Sequence, residues 1–318
     1  MPKVTYGGQS YDCEESTVLD CLTAQGISVP SSCRSGLCQT CMMKVVSGNI
    51  PGKSRAGLSD ALIAQNYFLP CVCNPEEDIE VILPDSTPGK IQVQVSSIEY
   101  LNANIIGIKL KPSLPFEYRP GQFINFFKDE NTARSYSLAS VPELEDDLFI
   151  NVRKVPGGVV SGWISEHLKP GDTVTISAAT GNCFYVSGNP EQNILLIGTG
   201  SGLAPLYGII RAALHHGHQG KISLYHGSYT REGLYLTEEL RNLAQSYSNF
   251  SYFPCVSGEA TDEQIRQGMV FDVAIQDNPS LKGWRVFLCG HPEMVKSAQR
   301  ETFFAGASMR DILADPFG

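Results

Sequence analysis

Residues 33–41 read CRSGLCQTC, and no other stretch limits the fold and chemistry of the chain as strongly. Cys33, Cys38 and Cys41 fall within nine residues, with Arg34 among them and no histidine nearby. The next cysteine is Cys71, which gives the spacing C-x4-C-x2-C-x29-C. The N-terminal stretch MPKVTYGGQSYDCEES lacks the long apolar run of a secretory signal, and no apolar run approaches the length that spans a membrane. The expected setting is therefore cytoplasmic, without membrane attachment. There, ten cysteines favour metal or redox chemistry over a disulfide framework.

Four thiolates on this spacing fit a [2Fe–2S] cluster of the plant-type ferredoxin kind. Three ligands on one tight loop wrap the cluster, and Ser35 and Gly36 let backbone N–H groups turn toward its sulfides. The fourth ligand comes from a later segment and pins the loop to the fold. A four-cysteine zinc site is the alternative, but zinc favours paired C-x2-C knuckles and only one such pair is present. Cys71 and Cys73 compete for the fourth position. Cys71 is preferred because Pro75, four residues on, matches the ferredoxin pattern C-x3-P. Cys13, Cys21, Cys183 and Cys255 read as small core residues.

A chain of 318 residues exceeds one ordinary core and suggests two or three domains. Apolar and charged contents of 42% and 18% are those of a globular protein. A net charge of −9 argues against a nucleic-acid partner. Residues 1–85 carry five basic and ten acidic side chains, more than half of the excess. That balance serves solubility or an acidic docking face for a basic protein. Turn-rich seams at LPDSTPGK (83–90) and VSGNPEQ (186–192) divide the chain into 1–85, 90–186 and 191–318.

The first segment predicts a hairpin through Gly7-Gly8, a helix capped by Ser16 or Thr17, and later strands at CMMKVV and DIEVIL, an α+β ferredoxin (β-grasp) pattern. The second alternates six short strands with turns and has one helix, at VVSGWISEHL, as in a small antiparallel β-barrel. The third alternates buried-strand runs, NILLIG, KISLYHG, FSYFPCV and WRVFLCG, with helical stretches. That is an α/β domain with a parallel sheet.

ARSYSLAS (133–140), together with RPGQF (119–123), NVRKV (151–155) and GGVVS (157–161), resembles the ferredoxin–NADP reductase-like flavoproteins. The resemblance implies that Arg134 pairs with the pyrophosphate of FAD, Tyr136 lies against the isoalloxazine, and Ser137 bonds flavin N5, where hydride arrives. Ser135, Asn151, Val152 and Arg153 would complete the flavin wall. Gly158, Val159 and Ser161 would start a helix whose orphan N–H groups hold the pyrophosphate. AATGNCF (178–184) departs from the family's GPxGxF, and Gln39 from a common Gly.

NILLIGTGSGLAPL runs strand, glycine loop, helix, but lacks the G-x-G-x-x-G fingerprint, and HHGHQGKISLYHGS lacks its acidic ribose partner. The family uses GTGSGLAP here, so Thr199 and Gly200 would face the nicotinamide nucleotide. FLCGHPEMV (287–295) resembles the family's C-G-x-P motif. By that likeness Cys289 sits beside the nicotinamide ring on the hydride path, and Gly290 leaves room for it. Phe317, near the C-terminus, is the candidate to stack on the flavin. HHGH (215–218) is expected to finish a helix rather than bind metal.

Taken over nearly the whole chain, the resemblance is to three-domain NAD(P)H reductases with an N-terminal ferredoxin. It implies an oxidoreductase in which Ser137 and Cys289 are catalytic. Electrons would pass from NADH through FAD and a cluster on Cys33, Cys38, Cys41 and Cys71 to a Rieske-type or diiron oxygenase. Arg34 and Ser35 would lie at the exit rim. A reductase for sugar deoxygenation shares these domains, and a redox-sensing iron–sulfur protein would need no hydride path. NADH is favoured; for NADPH, Arg231 would read the 2′-phosphate and Tyr235 would stack.

Overall fold

The computed structural model describes residues 2–13, 16–29, 34, 36, 41–56, 58–83, 91–129, 132–259 and 262–317. They fall into two compact units, Met1–Pro88 and Gly89–Gly318.

In the first unit, β1 (Lys3–Tyr6) and β2 (Gln9–Asp12) form a hairpin turned by Gly7 and Gly8, both at positive φ as a two-residue turn requires. Helix α1 (Val18–Ala24) is capped by Thr17, whose hydroxyl accepts from the Asp20 N–H. Strand β3 (Met43–Ser47), a short α2 (Asp60–Ala64), β4 (Tyr67–Phe68) and β5 (Ile79–Ile82) complete it. The sheet order is β2-β1-β5-β3-β4, with β1 and β5 parallel. Val18, Leu19 and Leu22 of α1 bury against Val4, Met43, Phe68 and Val81 of the sheet.

Cys13 and Cys21 were expected as separate core thiols; instead they form a disulfide that ties the end of β2 to α1. Both are buried, so the expected core position stands and the bond is the correction. Hairpin and helix return the chain to one point, which eight residues of sequence separation do not reveal.

The second unit begins with β6 (Ile91–Tyr100), β7 (Ile105–Pro112), β8 (Phe123–Phe127), β9 (Ala133–Ser137), β10 (Leu148–Arg153), α3 (Val159–His167) and β11 (Thr173–Ile176). The strands pair antiparallel in the order β10-β7-β6-β11-β8-β9. A bridge between Leu138 and Ile150 joins the two ends and closes the barrel. Alternate residues, Val93, Ile108, Ile124, Ile150 and Val174 among them, fill its interior.

Then follow β12 (Ile194–Thr199), α4 (Leu203–His215), β13 (Ile222–Ser228), α5 (Thr237–Ser246), β14 (Phe250–Val256), β15 (Arg266–Gln267), α6 (Val270–Asp277), β16 (Arg285–Gly290), α7 (Pro292–Phe304) and β17 (Ile312–Pro316). The sheet is parallel throughout, in the order β15-β14-β13-β12-β16-β17. Both faces are covered: Ile194 and Leu196 pack into one core, Leu195 and Ile197 into another. The chain leaves β12 toward β13 on one side and returns to β16 on the other. Such a switch point opens a crevice at the carboxyl ends of the strands.

Helix α4 ends at the histidines, as expected, but His218 is no surface cation. It is buried, contacts Tyr185 Oη and the Gln192 carbonyl through its two ring nitrogens, and burial lowers its pKa. Among the described residues no group of three metal-ligating side chains gathers, and no helix is long and apolar enough to cross a membrane.

Candidate functional site

Two of the four proposed cluster ligands, Cys33 and Cys38, lie outside the described residues, as does Ser35. Cys41 precedes β3, and Cys71 sits in the single turn Pro70–Val72. Both are buried, and their thiols meet in a hydrogen bond. Burial pushes the Cys41 thiol up to about 11. Left alone it stays protonated; iron would supply the charge that makes a thiolate ligand, so the pair suits the proposed cluster. Cys73 faces elsewhere: its thiol meets Ser54, its carbonyl accepts from the Val18 N–H, and it is fully buried in the core. Arg34 takes a positive φ and pairs with Asp20 at 3.2 Å.

The second unit holds a cavity of about 1550 Å³ at the switch point, bounded by the barrel on one side. Ligand pockets typically hold about 300–1,000 Å³, so this one has room for more than one cofactor. Strand β9 carries Arg134, Ser135, Tyr136 and Ser137 onto its wall. Ser137 is 4% exposed, and Ser135 Oγ donates to Asn125 Oδ1 at 2.8 Å. Tyr136 stands edge-on to Phe126, and burial pushes its hydroxyl up to about 12. Asn151 and Arg153 of β10 line the same wall, whereas Val152 points into the barrel core.

Gly158 begins α3 without a side-chain cap, so the first N–H groups of that helix face outward uncapped, and Gly158, Val159 and Ser161 line the cavity. Ser161 Oγ accepts from the Val155 N–H at 3.2 Å and so also staples the turn before the helix. A Cβ on Gly158 would lie 2.4 Å from that oxygen, which explains the glycine. An uncapped helix start on a cavity wall that also carries Arg134 suits a pyrophosphate.

Thr199 and Gly200 line the opposite wall, with Gly290 and His291 from the end of β16. The His291 N–H donates to Thr199 Oγ1 at 3.2 Å. Gly290 has φ +124°, and a Cβ there would lie 2.5 Å from the Thr199 carbonyl oxygen. Phe317 also lines the cavity, its N–H donating to the Gly290 carbonyl at 2.8 Å.

Cys289 is placed differently from its motif neighbours. Its side chain is fully buried and off the cavity wall, and its thiol lies 3.6 Å from that of Cys183. Burial first, then Cys183, raises its pKa well above the ordinary range. The AATGNCF segment thus packs against the nucleotide strand rather than lining the cavity; Arg119 lies over the Phe184 ring at 4.8 Å.

Sequence reasoning missed two contributors to the cavity wall and misplaced a third residue. Asp315 lines the cavity, and burial pushes its carboxyl up to about 6; β17 gave no recognisable strand run, so its register beside Cys289 was hidden. Glu232 lines the cavity in the loop after β13, and its own backbone N–H, then Thr230, hold its carboxyl below the ordinary value. Tyr235, expected to stack on the nucleotide, is instead buried with its hydroxyl between Asn151 and Gly200. Arg231, the possible phosphate reader, pairs with Asp262 at 3.5 Å.

Comparison with known proteins adds three family matches along the chain. Residues 4–76 match the 2Fe-2S iron-sulfur cluster binding domain, 92–185 the oxidoreductase FAD-binding domain and 196–300 the oxidoreductase NAD-binding domain. The naphthalene 1,2-dioxygenase system ferredoxin–NAD(P)(+) reductase component of Pseudomonas putida is 30% identical over 95% of this chain and 93% of its own. The aromatic O-demethylase reductase subunit of Amycolatopsis sp. is 32% identical over 92% of each. The crystal structure of the Amycolatopsis cytochrome P450 reductase GcoB superimposes with a TM-score of 0.72 at 30% identity, covering 100% of this chain and 99% of that one.

Proposed function

The chain belongs to the three-domain ferredoxin–NAD(P)H reductases, and we propose that it draws hydride from NADH and delivers electrons singly to a terminal oxygenase. The observation that carries this reading is one cavity lined by both Ser137 of the barrel and Gly290 of the nucleotide sheet. Bound FAD would accept one hydride, two electrons at once, and the [2Fe–2S] cluster would release electrons one at a time.

The chain's own residues then have assigned tasks. Arg134 and the N-terminus of α3 hold the flavin pyrophosphate. The Ser137 hydroxyl orients the flavin edge. Thr199, Gly200 and the start of α4 receive the nicotinamide nucleotide's phosphates. Gly290, lacking a side chain, leaves space for the ring. Phe317, anchored by its N–H on Gly290, shields the flavin face until the nucleotide arrives. Cys33, Cys38, Cys41 and Cys71 hold the cluster. Cys289, buried against Cys183, shapes the end of β16 beneath the ring.

NADH rather than NADPH follows from charge. A ribose 2′-hydroxyl can donate to the Glu232 carboxylate, whereas a 2′-phosphate would meet its negative charge, and Arg231 is engaged by Asp262. The relatives named above serve a dioxygenase, an O-demethylase and a P450, which favours an oxygenase over a sugar-deoxygenation partner. A cluster-only sensor would have no use for the cavity. A cytoplasmic setting goes with this reading, and there the Cys13–Cys21 disulfide must persist against a reducing thiol pool.

Steady-state assays with two acceptors test it. The protein should reduce ferricyanide and cytochrome c with NADH. Cys71→Ser should lose most of the cytochrome c activity and keep the ferricyanide activity. Absence of NADH oxidation with either acceptor would end the proposal.

A further inference from the structure

Between the flavin wall and the glycine loop lies a buried polar contact that the proposed chemistry leaves without a task. Tyr235, just ahead of α5, is 2% exposed. Its hydroxyl lies 3.3 Å from Asn151 Nδ2 on β10 and 3.2 Å from the Gly200 carbonyl oxygen at the end of β12.

Donor and acceptor chemistry fixes the direction of this contact. A carbonyl oxygen only accepts, so the tyrosine proton goes to Gly200. The tyrosine oxygen can then only accept, so Asn151 must present its NH2 group. The outcome is a one-way chain: Asn151 N–H to Tyr235 oxygen, Tyr235 O–H to Gly200 carbonyl. Burial raises the Tyr235 hydroxyl well beyond its ordinary pKa, so its proton stays in place. The ring is packed as well as bonded. The His226 ring meets it at 89° with centroids 5.5 Å apart, and burial pushes the His226 pKa down to about 3, so that neighbour stays neutral.

The Gly200 carbonyl also accepts from the Leu203 N–H at the start of α4, so the tyrosine proton is its second bond and the one that comes from a side chain. The φ of Gly200 is +55°, and nothing lies within 4 Å of where a Cβ would be, so no side-chain packing fixes it. The peptide joining Gly200 to Ser201 is planar and trans. Its carbonyl and the Ser201 N–H therefore point in opposite directions, and a bond that holds one aims the other. Gly200 and Ser201 both line the cavity. A second tie supports the arrangement: Asn102 Nδ2, from the turn between β6 and β7, donates to the Gly233 carbonyl at 3.0 Å. The loop that carries Tyr235 is thus fastened to the barrel at two points and to the glycine loop at a third.

Building on the reading that this cavity takes NADH, we infer that Tyr235 is a positioning residue for the nicotinamide nucleotide. Its hydroxyl couples flavin strand β10 to the glycine loop and holds the Gly200–Ser201 peptide so that an N–H faces the nucleotide phosphates. Neither Tyr235 nor its loop needs to touch the reacting atoms. The effect belongs to binding rather than to the hydride step.

Tyr235→Phe keeps the ring and removes the hydroxyl, so full-length protein loaded with FAD and cluster is the sample. The ratio of FAD to protein should match wild type. The dissociation constant for NAD+, measured by titration calorimetry, should rise roughly fivefold, the worth of one neutral hydrogen bond. KM for NADH should rise by a similar factor, with kcat changed by less than about twofold. Hydrogen–deuterium exchange in the nucleotide-free protein should speed up in the peptide spanning 199–206, which a role confined to ring packing would not produce. Wild-type NAD+ affinity in the variant would overturn the inference, and so would loss of FAD in step with any loss of activity. If wild-type protein bound no NAD+, the functional reading would fail and the inference with it; NAD+ binding that Tyr235→Phe leaves unchanged sinks the inference alone.

Discussion

Gly202→Ala isolates one steric fact about the nucleotide site. Gly202 starts α4 with ordinary helical angles, so alanine faces no conformational penalty there. Its added methyl would lie 2.3 Å from the Cys289 carbonyl oxygen, 2.5 Å from its carbon and 2.6 Å from the Gly290 nitrogen. All three atoms are backbone, so no side chain can swing away. The end of β16 must move off α4 by about 1 Å to restore ordinary contact distances. Overpacking of this kind costs about 3 kcal/mol when the neighbour is rigid. The replacement of glycine by alanine in helical backbone returns about 0.5–1 kcal/mol. The net loss is about 2 kcal/mol, or roughly 4–8 °C in melting temperature for a unit of this size. Gly162→Ala is the control: it lies inside α3 with nothing within 4 Å of its Cβ position. It should raise the melting temperature by about 2 °C. Calorimetric scans at fixed FAD concentration compare the two, because free cofactor shifts the transition. Because Gly290 moves with β16, Gly202→Ala should also weaken NAD+ binding. A Gly202→Ala melting temperature equal to or above that of Gly162→Ala would refute the claim that backbone approach dictates this glycine.

Asp315, whose carboxyl is pushed up from 3.8 to about 6, binds its proton more tightly folded than unfolded. It therefore supports the fold below about pH 4 and loses that support as pH rises through 6. Asp315→Asn should melt higher than wild type at pH 8 and no higher at pH 4; a difference that stays flat across that range contradicts the burial argument. Cys71→Ser should eliminate the bound iron and its visible absorbance while Cys73→Ser retains both, since only Cys71 shares a site with Cys41; iron lost from the Cys73 variant instead would reverse the assignment. Cys13→Ser should cost the first unit about 2–3 kcal/mol, the chain-entropy value for so short a loop. A guanidinium midpoint unmoved by the substitution would show that the bond contributes nothing.

Local features of the fold were legible in the sequence for local reasons. Gly7-Gly8 supplies the positive φ that a two-residue hairpin demands, and Thr17 supplies the cap of α1. The six barrel strands alternate inward and outward residues, and the parallel strands are apolar on both faces. Each motif expected to face the flavin or the nucleotide has residues on the cavity wall, because strand ends and helix starts follow directly from those patterns. What stayed hidden depends on contacts far apart in sequence. Cys183 and Cys289 meet across 106 residues, and Tyr235 finds Asn151 across 84. No spacing rule reports such meetings. Strand β17 carries ILADP, where the acidic residue and proline mask the strand, so Asp315 could not be placed beside β16. The Cys13–Cys21 bond escaped for another reason: an expected reducing compartment argued against it.

By the proposed function, one chain takes electrons from NADH in a pair and releases them singly. An anaerobic titration of the purified protein with NADH, read by absorbance and by low-temperature EPR, tests it most directly. The flavin absorbance should bleach and the rhombic signal of a reduced [2Fe–2S] centre should grow in the same titration, with NADPH far less effective at equal concentration. Flavin and cluster spectra that NADH leaves unchanged would contradict it.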